Sequence, residues 1–96
     1  VNYVQTAFQV LKDELVAVDA CMNDCDDLIE LYELLMFTKK LDTNLKDVHD
    51  AWAIWRNRTK PDHKSLKEFE DLSAEVQELD RKYLDAIHRA YIKYNK

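Results

Sequence analysis

From Val1 to Met36 the chain carries an apolar residue every three or four positions: Val1, Val4, Phe8, Leu11, Leu15, Val18, Met22, Cys25, Ile29, Tyr32 and Met36. A helix gathers that spacing onto one side, and coiled-coil seams are built the same way. The rest of the sequence removes the competing folds. Its 96 residues include no glycine and one proline, so the positive-φ turns that close tight hairpins lack their usual residue. The expected fold is all-α, one helical domain over residues 1–96, with 47% hydrophobic content sufficient for one modest core.

Three helices are predicted, over about 2–40, 43–58 and 62–95. Nothing inside the first breaks the apolar pattern, and Lys39 and Lys40 place cations at the negative end of its dipole. The seam of the second, Leu41, Leu45, Val48, Trp52 and Trp55, starts five residues after Met36; Asp42, Thr43 and Asn44 are all N-cap formers, so a turn is expected there. Pro61 forces the next break, and Pro61 itself, or Ser65 with Glu68 as a capping box, then starts the last helix. Such rods would measure roughly 60, 25 and 50 Å. A long-short-long three-helix bundle, or a helical hairpin, leaves an apolar seam uncovered at those lengths. Completion by oligomerisation is therefore expected, with a second copy or another helical protein as partner. Val4, Phe8, Leu11, Leu15 and Val18, together with Trp52 and Trp55, form the expected interface.

Charge divides the chain into three parts. Residues 1–38 hold one lysine against eight acids, a net −7; residues 39–67 carry +4 and residues 68–96 carry −2. The simplest expectation is that the acidic first part pairs with the basic middle, within one chain or between subunits. A net charge of −5 argues against bulk phosphate neutralisation, hence against nucleic acid, and against anionic membranes. Apolar runs are far too short to span a bilayer, and the start at Val1 shows no leader pattern.

Few residues could carry chemistry. Cys21 and Cys25 lack a second close pair among His49, His63 and His88, so they read as small packing residues, and two thiols lean toward a reducing, intracellular setting. Asp24, Asp26, Asp27 and Glu30 have neither the glycine turn nor the alternation of a calcium loop. Asp85 and His88 make one half of a di-iron pattern that needs two. No metal or cofactor is expected.

The basic elbow RNRTKPDHK places Arg56, Arg58 and His63 close together in sequence. It resembles the short motif of HEPN ribonucleases, helical proteins in which an arginine, a polar residue and a histidine cleave RNA without metal at a dimer interface. The resemblance implies His63 as acid or base and Arg56 as stabiliser of the phosphorane charge, although Pro61 and Asp62 depart from the apolar approach to the histidine. Helix order also resembles the all-helical chorismate mutases, but the first helix has no arginine with which to clamp a dicarboxylate. The expected function is a non-catalytic protein-interaction or scaffolding module. A ribonuclease using Arg56 and His63, and an acidic binding module for a basic protein partner, are the alternatives.

Overall fold

Asn2 begins α1 (Tyr3–Val18) through a capping box: its side chain accepts the Gln5 N–H at 2.9 Å, and the Gln5 side chain accepts the Asn2 N–H at 3.0 Å. The computed structural model describes all residues, Val1–Lys96. Beyond Val18 the chain departs from the single helix expected over 2–40. Asp19 is extended (φ −156°, ψ 102°), and a 3-10 turn, Ala20–Asp24, leads into α2 (Asp26–Thr38). The Asp19 carboxylate makes the break: it accepts the Cys21 N–H at 3.1 Å and the Tyr83 hydroxyl at 2.6 Å. Asp26 and Asp27 then lie in the first turn of α2, where the helix dipole favours negative charge.

The turn expected near Asp42–Asn44 forms. Lys40 takes a left-handed φ of 54° in this glycine-free chain, at a cost of about 1 kcal/mol, and Thr43 donates its hydroxyl to the Lys40 carbonyl at 2.8 Å. Asn44 and Asp47 then cap α3 (Leu45–Asn57) reciprocally.

The last third differs more from expectation. Residues 58–73 run as turns with one 3-10 turn, Phe69–Asp71; the one-turn α4 (Ala74–Glu78) follows from its Ser73 cap, and only α5 (Arg81–Tyr94) is a long helix. Ser65 does not cap a helix, because its N–H is given to His63 Nδ1 at 3.0 Å. The segment is held from outside by side chains. His49 Nε2 lies 2.7 Å from the Lys67 carbonyl, which requires the Nε2–H tautomer, and Gln77 donates to the carbonyls of Phe69 and Leu72.

With the long rods broken, the lengths match. α1 packs chiefly on α5, and α2 lies against α1, α3 and α5. That central position explains why α2 is apolar nearly all round. Ala7, Leu11, Leu15, Met22, Ile29, Tyr32 and Met36 from the first 38 residues join Val48, Leu84, Ala86, Ile87 and Ala90 in one core. The radius of gyration is 13.1 Å, close to the ~13 Å of a folded domain near 100 residues. The unmatched rods that would have left a long seam open do not form: the stripe is folded back and most of it from Leu11 to Met36 is packed within the chain, while Val1 and Val4 stay exposed.

Candidate functional site

Buried charge is the first guide to a site, because a carboxylate stays ionised in a protein interior only when something compensates it. Two glutamates are nearly inaccessible, Glu14 at 8% exposure and Glu33 at 4%. Glu14 is compensated. Lys93 reaches it from α5 at 2.6 Å and Arg89 at 3.6 Å, and the Lys93 hydrogen bond holds its carboxyl below the ordinary range. Glu33 is not. Its Oε2 is buried with no hydrogen-bond partner, and burial, followed by the charge of Glu30, pushes its pKa up.

Glu33 opens on a groove between α1 and the first turns of α2, about 790 Å³, lined by Val1, Val4, Gln5, Phe8 and Gln9 on one side and Asp26, Glu30 and Glu33 on the other. The helix period accounts for both walls. Val4 and Phe8 stand four apart on α1, and Asp26, Glu30 and Glu33 stand four and three apart on α2, so each set lies on one face. Lys12 lies beside the groove, bonded to Asp26 at 2.8 Å and 5.9 Å from the centroid of the Phe8 ring. Glu30 and Glu33 have no ion-pair partner.

The expected complementarity between the acidic first part and the basic middle is not realised within the chain. No ion pair joins residues 1–38 to residues 39–67; Lys46 serves Asp50, Glu68 and Glu70, while Glu14 turns to α5.

The residues singled out from sequence divide as follows. Val4 is 42% exposed at the groove, Phe8 is half-buried beside it, and Val18 is half-buried against the core. Leu11 and Leu15 are fully buried, a correction to their expected place on an open interface, since α5 covers that face of α1. Trp52 and Trp55 are half-buried and packed on the core from α3. His63 meets the Trp52 ring edge-on at 5.1 Å and lines a second cavity of about 370 Å³ with His49, Asp80 and Tyr83. Neither arginine of the elbow lines that cavity: Arg56 lies over the Trp55 ring at 4.5 Å, and Arg58 is exposed at the end of α3. The three side chains of the ribonuclease-like motif thus do not share the cleft of His63.

A family model described as a domain of unknown function, DUF7701, matches residues 2–92. The chain belongs to the DUF7701 family. No curated protein and no solved structure matches it. The DUF7701 match takes in every groove residue but Val1.

Glu33 was missed at the sequence level because its neighbours Leu31, Tyr32, Leu34 and Leu35 make that stretch look like core on every side. The available signal was the acid itself in an apolar run. Glu33→Gln removes the uncompensated charge and is expected to raise the unfolding free energy by about 1 kcal/mol at neutral pH, read as a higher urea midpoint with an unchanged slope.

Proposed function

We propose that this chain is a non-catalytic helical interaction module that takes a helix of another molecule into the groove between α1 and α2. The observation that carries the reading is the groove itself: Val4 and Phe8 present an apolar strip beside a row of carboxylates that the fold leaves without ion partners, apart from Asp26. An apolar strip at helical spacing is how a groove receives an amphipathic helix. The histidines of the smaller cavity, His49 and His63, already serve the 58–73 segment.

A polar substitution tests the assignment with little risk to the fold, because Val4 is well exposed and surface changes cost within about 0.5 kcal/mol. The native chain, Val4→Glu and Leu79→Glu are to be compared for association in extracts of the native host, followed by sedimentation of the purified complexes. Leu79 is 68% exposed and does not line the groove, so it serves as the control. The expected result is a defined complex with the native chain and with Leu79→Glu, lost with Val4→Glu. Association indifferent to Val4→Glu would place the docking surface elsewhere.

A further inference from the structure

We infer that the occupant of the α1–α2 groove is a basic amphipathic helix, seated by apolar residues on Val4 and Phe8 and by a lysine or arginine brought onto Glu33 and Glu30. The inference rests on the docking reading above and adds the chemistry of the partner. Two observations converge on a cation. Glu33 is 96% buried yet carries an oxygen with no partner. A carboxylate so placed costs the fold free energy, and a cation brought from the groove against its other oxygen, the one not enclosed, offsets part of that cost. Glu30, one helical turn earlier on the same wall, is exposed and likewise unpaired, and the like charge adds to the penalty on Glu33. A guanidinium suits such a pair because its planar fork can bond two carboxylates at once.

Lys12, beside the groove, is committed to Asp26. The other basic side chains that pair with acids do so elsewhere, Lys93 and Arg89 with Glu14, Lys39 with Asp47, Arg81 with Glu78, and Lys46 with Asp50, Glu68 and Glu70. The apolar half of the groove sets the second requirement. Val4 and Phe8 lie four residues apart on α1, a repeat that matches apolar residues one turn apart on an opposing helix. A basic but wholly polar peptide would leave that strip wet, and an apolar helix without a cation would bury Glu33 further without pairing it.

Synthetic amphipathic helices of identical apolar face supply the test: one with a lysine and arginine polar face, one with a glutamine face and one with a glutamate face, each dye-labelled and titrated with the native chain and with Glu33→Gln and Val4→Glu. The basic helix is expected to bind the native chain at least tenfold more tightly than the glutamine helix and to weaken with added salt. Glu33→Gln is expected to remove most of that preference, about tenfold, while keeping or raising its melting temperature, so that the loss is not one of folding. Equal binding of the basic and glutamine helices, with both lost in Val4→Glu, would overturn the cation assignment and leave the docking groove standing. Failure of all three helices to bind would overturn both. Concentration-dependent self-association that Val4→Glu abolishes would also overturn the inference, since the occupant would then be a second copy of this chain.

Discussion

Leu11→Ala is expected to lower the unfolding free energy by about 3 kcal/mol, a large share of the 5–15 kcal/mol that holds a domain of this size. Leu11 has no exposed surface and sits where α1 meets α5, among Ala7, Leu15, Ile87 and Ala90 of the core. Truncation removes three carbons and leaves a cavity that two rigid helices cannot fully close. In thermal melts the midpoint should fall by roughly 15 °C, and urea denaturation should show a lower midpoint with the same slope. Val4→Ala, about two turns earlier on the same stripe, should change stability by no more than about 0.5 kcal/mol. The contrast separates two roles within one periodic pattern. If Leu11 belonged to an intermolecular interface, its truncation would leave the unfolding of the isolated chain unchanged and weaken association instead.

The apolar stripe predicted helix, and helix is present; six of its positions, Leu11, Leu15, Met22, Ile29, Tyr32 and Met36, are in the core, including two expected on an interface. Chain direction was not legible in it. Val18, Met22 and Cys25 keep a spacing of four and three through the 3-10 turn, because a tighter turn of three residues advances a side chain around the axis almost as an α-turn does. Periodicity therefore continues while the path bends. The cue that did exist was Asp19, a residue type that prefers to cap rather than continue a helix, but its decisive partner is Tyr83, 64 positions away. The same limit applied after Pro61. Leu66, Phe69, Leu72 and Val76 share helical spacing with α5, yet His49 and Gln77 take the carbonyls of that segment and hold it in turns.

The groove was half visible. Val4 and Phe8 were marked by their place on the stripe, and the acidity of residues 1–38 was plain. What sequence could not supply was which charges find partners. Nothing in the sequence says which of Glu14 and Glu33 finds a partner, and only the arrival of α5 beside Glu14 makes it a paired group. A segment-wide count of −7 against +4 suggested that the first part and the middle neutralise each other, whereas the chain places its basic middle against Asp47, Asp50, Glu68 and Glu70. Net charge counts residues without regard to neighbours; ion pairing depends on which helices touch.

Asp19→Ala is expected to cost about 2 to 3 kcal/mol, and the same carboxylate should shape the response of the fold to acid. The substitution removes the acceptor for the Cys21 N–H, whose loss as a cap costs about 1 kcal/mol, and the charge-assisted bond from the Tyr83 hydroxyl, worth about 1.5 kcal/mol or more. Tyr83→Phe removes only the second, so the difference between the two variants isolates the cap. The Tyr83 hydrogen bond holds the Asp19 carboxyl below the ordinary carboxylate value, as Lys93 does for Glu14. A carboxyl lowered on folding stabilises the protein above its unfolded pKa of about 4, and that contribution is lost as pH falls through the lower folded value. Glu33 and Asp80 carry the opposite sign, since burial raises both. Their penalty is greatest at neutral pH and disappears as pH falls from their raised folded values toward about 4. Stability should therefore rise on mild acidification, pass through a maximum, and fall once Asp19 and Glu14 take up protons. Urea midpoints measured from pH 7 to pH 3 should trace that dome. Glu33→Gln should flatten its neutral side and Asp19→Ala its acid side. A steady decline from pH 7 in the native chain would show that the buried carboxyl of Glu33 is already compensated, and would remove the reason for a cation to seek it.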